Sequence, residues 1–202
     1  SLFLLAESRE HPMHVGGLQL FEPPAEAGPD FIRDLYQSML ANDDVQPTFL
    51  KRPAELFGGI ANVAWSFDRE IDLEYHLRRS ALPSPGRVRE LLELTSRLHG
   101  VLLDRHRPLW ETHLIEGLND GRFAVYTKVH HALVDGVTAM KLMRRALSPE
   151  AGDHDIRVPW TTKPRRRSRE VPASRLRELG NILGSVAALG PSMLTLARAA
   201  IF

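Results

Sequence analysis

The 202-residue sequence contains no cysteine. Disulfides, thiolate metal sites and a cysteine nucleophile are therefore excluded within it, and nothing in it reports a redox compartment. It also lacks a charge bias. Its 26 basic and 25 acidic residues leave a formal net charge of +1, too weak a field to argue for nucleic acid as a partner. No glycine-rich phosphate loop or dinucleotide fingerprint is present, which removes the commonest cofactor classes. The apolar run Leu2-Phe3-Leu4-Leu5 is too short for a signal-peptide core and has no basic flank, so secretion is not expected. The chain opens on Ser1 and closes at Phe202 inside an apolar stretch, as a fragment would. No internal repeat is visible.

What is present is globular in composition, with 43% hydrophobic and 25% charged residues, over a length able to bury a core. Met13 to Phe21 alternates loosely around Gly16-Gly17 and predicts a strand closed by Pro23-Pro24. Pro29-Asp30 opens a helical pattern carried by Phe31, Leu35, Met39 and Leu40. Residues 57–67 predict another strand, and Pro83-Ser84-Pro85 the start of a helix reaching Asp104. Trp110–Glu116 and Arg122–His130 flank an Asp120-Gly121 turn signal and predict an antiparallel hairpin. Helical spacing resumes after Asp135-Gly136 through Leu147. The expected organisation is a domain over residues 1–147, a basic Pro/Arg/Ser-rich linker over 148–172 and an apolar helical segment over 173–202. Alternating helices and strands with a hairpin predict an α/β fold with a mixed sheet flanked by helices.

The chemistry-bearing run is Lys128-Val129-His130-His131-Ala132-Leu133-Val134-Asp135-Gly136. It puts two histidines where a strand ends and an acid and a glycine where a helix begins. Neighbouring strand residues face opposite ways, so one imidazole faces a cleft and the other packs inward; spacing does not choose between them. An imidazole titrating near neutrality can take a proton from a hydroxyl and return it to a leaving group. Asp135 would orient that ring as in a triad, or would pair with an arginine and hold the turn. Gly136 would permit close backbone approach or positive φ. A His-His-x-x-x-Asp-Gly run arises by chance at a rate of about one in a thousand for such a composition.

This run resembles the HHxxxDG signature shared by chloramphenicol acetyltransferase, plant alcohol acyltransferases and peptide-synthetase condensation domains. Within that superfamily the chain most resembles the bacterial wax ester synthase/acyl-CoA:diacylglycerol acyltransferase family. The resemblance also rests on Phe3-Leu4-Leu5-Ala6-Glu7, Pro12-Met13-His14-Val15-Gly16 and a PLW-like Arg107-Pro108-Leu109-Trp110-Glu111. It covers residues 1 to about 147 well and the rest loosely. It implies a chloramphenicol-acetyltransferase-like sandwich half, with a C-terminal half missing. It implies acyl transfer from acyl-CoA to diacylglycerol or a fatty alcohol, with His131 as general base, His130 supporting the site, and Asp135 and Gly136 structural. Asp135 would point toward an arginine. Pro108, Leu109 and Trp110 would shape the interior near an acyl channel. No cofactor or metal is implied, and acyl-CoA is a co-substrate. A cytoplasmic enzyme, peripheral at the inner membrane face or on lipid droplets, is the expected setting.

Plainer readings stand beside these. His131 would be a hydrogen-bonded core histidine, Trp110 a packing aromatic, and the basic linker a solvated tether rather than a site for lipid headgroups or CoA phosphates. A zinc site from His130, His131 and Asp135 is disfavoured because the adjacent rings diverge. His14, His76, His99, His106, His113 and His154 read as surface or cap residues. The contrasting function is a non-catalytic half-domain that binds a complementary half or a lipid surface.

Overall fold

The hairpin forms the middle of the structure. In the computed structural model, which describes residues 2–54, 64–150 and 155–161, β5 (Trp110–Glu116) pairs antiparallel with β6 (Phe123–His130). Trp110 lies opposite Val129 and Ile115 opposite Ala124. The turn is closed by Gly121 at φ 82° and by the Arg122 amide donating to Asp120 Oδ1 at 3.1 Å. β1 (His14–Phe21) adds antiparallel to β6, placing His14 opposite His130. β4 (Leu77–Ala81) adds parallel to β5. The sheet order β1-β6-β5-β4 is therefore mixed, as predicted. A second, two-stranded ribbon joins β2 (Lys51–Pro53) to β3 (Trp65–Phe67). It captures the end of the predicted 57–67 strand; residues 55–63 lie outside the described residues.

Strand alternation sorts the hairpin's side chains onto two faces. On one, Trp110 and Val129 meet Met39 of α2 (Phe31–Leu40), Leu142 of α5 (Gly136–Arg145), and Phe49, Val158 and Trp160. On the other, Ile115, Ala124 and Tyr126 meet Leu91 of α4 (Val88–Gly100). Two short helices complete the unit: α1 (Leu2–Ala6), whose Leu4 packs with Leu103 and Leu109, and α3 (Leu73–His76) leading into β4. Among the described residues no helix is long and apolar enough to cross a membrane.

Two sequence expectations change. The fourth helix runs over Val88–Gly100, not from Pro83 to Asp104. Gly86 sits at φ 70°, and a Cβ there would overlap the Gly117 carbonyl, so the chain turns before it can coil. The second change concerns residues 155–161, which composition places in the linker. Val158 and Trp160 are almost fully buried; Trp160 stacks on Trp110 at 5.2 Å, and its Nε1 donates to the Asn42 carbonyl at 2.9 Å. Two large apolar side chains outweigh the polar composition around them. The predicted helical segment 173–202 and most of the basic stretch before it lie outside the described residues.

Candidate active site

His130 is the last residue of β6 and shares a face with Lys128 and Tyr126, so its ring points into the body of the unit and is fully buried. Its Nδ1 accepts from the Ala132 amide at 2.9 Å, which puts the ring proton on Nε2. That nitrogen lies 3.2 Å from Glu7 Oε1, close but off the line of a well-aligned hydrogen bond. Burial lowers the His130 pKa against the opposing pull of Glu7, so the ring is held neutral.

His131 follows as the chain leaves the sheet. Its amide donates to the Met13 carbonyl at 2.9 Å, and its ring is half-buried. Phe3 of α1 stacks against the imidazole with centroids 5.4 Å apart and planes 23° from parallel. Among the described residues no hydrogen bond occupies either ring nitrogen. The choice between the two histidines, open in the sequence, is made by strand parity: His130 is sealed and His131 reaches the surface.

Asp135 orients no ring among the described residues and holds the turn through an amide instead of an arginine. It is exposed, and its Oδ1 accepts from the Thr138 amide at 2.7 Å, capping α5. Hydrogen bonding to the Thr138 backbone holds the carboxyl below its usual range. Its partner among the described residues is thus an amide, not the expected arginine. Gly136 departs from expectation too. Its φ is ordinary and a Cβ would meet open space, so the turn does not need a glycine. Pro108, Leu109 and Trp110 lie in the core. The Leu109 carbonyl accepts from the His130 amide at 3.0 Å, and Trp110 Nε1 donates to the Phe49 carbonyl at 2.9 Å.

On the α5 face of the sheet lies a cavity of about 230 Å³, lined by Val15, Gly17, Val129, Gly136, Met140 and Met143 among others; His131, two residues past Val129, is not part of its lining. A second of about 450 Å³, lined by Phe21, Phe31, Leu35, Phe123 and Val125 among others, shares Thr127 with it. Neither is lined by Pro108, Leu109 or Trp110. Apolar walls of this kind suit a hydrocarbon chain.

Sequence reasoning missed the polar layer on the other face of the sheet. Lys128 is buried, with Nζ 2.6 Å from Glu111 Oε1 and donating to the Leu98 and Val101 carbonyls at 2.7 and 2.8 Å. Burial would raise the Glu111 pKa, but His113 and Lys128 reverse this and hold it at about 2. Of the two, Lys128 is at hydrogen-bonding distance; His113 Nε2 stands off at 3.7 Å. His14, His76 and His113, read as surface residues, are buried; His14 Nε2 meets the His99 carbonyl and His76 Nδ1 the Trp110 carbonyl, each at 2.7 Å. His14 packs against His99 of α4, His76 against Trp110 and His113 against Tyr126, and such tertiary cover leaves no local trace in the sequence. His154 lies outside the described residues. Among the described residues no group of three or more His, Asp or Glu side chains is placed to hold a metal ion.

Comparison with known proteins identifies one family. The family model described as wax ester synthase/diacylglycerol acyltransferase catalytic domain matches residues 1–201. A Mycobacterium tuberculosis protein named "Probable diacyglycerol O-acyltransferase" is 62% identical over 203 residues, covering 100% of this chain and 45% of its own length. The O-acyltransferase WSD of Acinetobacter baylyi is 43% identical, covering 88% of this chain and 36% of its own. The solved wax ester synthase/diacylglycerol acyltransferase of Marinobacter aquaeolei VT8 superposes with a TM-score of 0.74 at 43% identity, over 91% of this chain and 44% of that one. The chain thus spans less than half the length of the relatives it matches.

Proposed function

The chain belongs to the wax ester synthase/diacylglycerol acyltransferase family, and from that premise we propose that it supplies the catalytic imidazole for O-acyl transfer from acyl-CoA to diacylglycerol or a long-chain alcohol. His131 accepts the hydroxyl proton as the oxygen attacks the thioester carbonyl. The carbon–sulfur bond then breaks, and the imidazolium returns the proton to the departing CoA thiolate. No acyl-enzyme is formed, and no cofactor takes part.

The observation that carries this reading is the contrast between neighbours. His130 is fully buried with Nδ1 already accepting a hydrogen bond, whereas His131 is half-buried and has no hydrogen bond on its ring among the described residues, two residues past Val129 in the wall of the apolar cavity. Asp135 and Gly136 support the site by starting α5, and His130 by fixing the turn. Pro108, Leu109 and Trp110 act from behind, through the backbone of β6, and the cavities take the chain of acyl group or acceptor. A C-terminal half completes the site. Exposed Val137 and Met140 on α5, with Leu2 and Leu5 on α1, give that half an apolar surface to cover. A cytoplasmic location, peripheral at the inner membrane face or on lipid droplets, fits such substrates.

The test is His131→Ala in a two-half protein carrying this N-terminal half. A loss of about 10²- to 10⁴-fold in turnover is expected from removing a general base. Retained turnover would refute the assignment. Mixing the chain with a separately produced C-terminal half should give ester only in the mixture; liposome binding without ester formation would favour the non-catalytic reading.

A further inference from the structure

A histidine acting as a base is usually held in plane by a carboxylate on its far nitrogen. Here Asp135 is committed to the Thr138 amide, and among the described residues His131 has no such partner. Something else must fix the ring. The segment Leu2–Glu7 is the element in position to do so, and it does not belong to the sheet.

At one end of the segment Phe3 covers a face of the His131 ring. At the other end Glu7 is buried, its side chain 1% exposed, between three groups. Oε2 accepts from Arg105 Nη2 at 3.0 Å and Nε at 3.3 Å. Oε1 accepts from the Met13 amide at 3.3 Å and lies 3.2 Å from His130 Nε2. The two Oε1 contacts lead back to the catalytic turn. Met13 carries the carbonyl that receives the His131 amide, and His130 carries the nitrogen that receives the Ala132 amide. The backbone on both sides of His131 is thereby tied to one carboxylate. Arg105 closes the arrangement by donating to the Leu4 carbonyl at 2.8 Å, fixing α1 against the same anchor.

We propose that Leu2–Glu7 is a positioning clamp for the general base, with Phe3 setting the plane of the His131 ring and Glu7, braced by Arg105, fixing the backbone that carries it. This rests on the reading of His131 given above. Neither side chain takes a proton in the reaction; both act through His131. Glu7 orders the buried turn, while Phe3, 46% exposed, sets the ring at the surface.

The experiment uses the full two-half protein with Phe3→Leu, Phe3→Tyr, Glu7→Gln and His131→Ala, assayed for kcat and for KM toward acyl-CoA. Phe3→Leu keeps apolar bulk but loses the planar stack; kcat should fall by about 10-fold with KM little changed, because misplacing a catalytic group lowers turnover rather than affinity. Phe3→Tyr restores a ring and should recover most of the turnover. Glu7→Gln keeps shape but loses the charge; kcat should fall further, by about 10- to 100-fold, in protein that still folds by circular dichroism. Should Glu7→Gln fail to fold, the Phe3 pair alone decides. With His131→Ala inactive, unchanged kcat in Phe3→Leu and Glu7→Gln overturns the clamp and leaves the base assignment standing. A change confined to KM overturns it as well, by making Phe3 a substrate contact. An active His131→Ala overturns the base assignment instead, and the clamp with it.

Discussion

Replacing Lys128 by methionine removes a charge from the buried layer under α4 while keeping an unbranched side chain of similar length. The substitution strands Glu111, whose carboxylate lies 2.6 Å from the lysine nitrogen, and removes the donor to the Leu98 and Val101 carbonyls. Breaking a buried pair from one side costs about 3–5 kcal/mol, because the remaining charge is desolvated without compensation. The pH dependence is specified too. A Glu111 pKa of about 2 in the folded protein, against an ordinary 4.5, corresponds to about 3 kcal/mol of stability. Because the folded value is depressed, that contribution is complete above about pH 4.5 and lost as pH falls toward about 2. Urea unfolding of parent and variant at pH 7 and pH 3 measures both effects. The variant should lose about 3–5 kcal/mol at pH 7, and the gap should narrow at pH 3, where Glu111 can protonate in the variant. Adding Glu111→Gln to Lys128→Met should recover much of the loss. A pH 7 penalty below about 1 kcal/mol, or a gap that does not change with pH, would refute the account of a coupled buried pair.

Three shorter predictions follow from other contacts. Asp135→Ala should lower the thermal midpoint slightly by uncapping α5, yet reduce turnover by less than about 10-fold, far from the roughly 10⁴-fold expected of a triad acid; a loss of triad size would reinstate Asp135 as the orienting group. Trp160→Ala opens a buried slot against Trp110 and should cost about 3–5 kcal/mol in urea unfolding, whereas a true linker residue would be neutral. Gly86→Ala forces a Cβ onto the Gly117 carbonyl at positive φ, so its thermal midpoint should fall clearly; a neutral result would mean that this turn rearranges freely.

The parts legible in the sequence were those encoded locally. Alternation and Asp120-Gly121 predicted the β5–β6 hairpin, and helical spacing placed α2 within the observed Phe31–Leu40. The HHxxxDG run located the strand-to-helix turn. Pairings made across distance were not legible. β1 against β6 and β4 alongside β5 depend on contacts that no window of residues contains. The same holds for burial. Lys128, Glu111 and His113 have the sequence character of a solvated face, and only the cover of α4 turns them into an interior network. Glu7 illustrates the limit at the site itself. It sits in an N-terminal run noticed as a family feature, but its position beside His130, far along the chain, was not inferable from spacing.

The indole of Trp160 bears on where this polypeptide can be cut. Gln46 receives its register from the same stretch, through its amide to the Trp160 carbonyl and its side chain to the Pro159 carbonyl. A gene split upstream of this tryptophan would leave the first product with an open seam beneath β5, while the second would carry a sticky tail that belongs elsewhere. Co-expression of two pieces should therefore place the break beyond Thr161, letting the first polypeptide close over its own sheet before it meets the other.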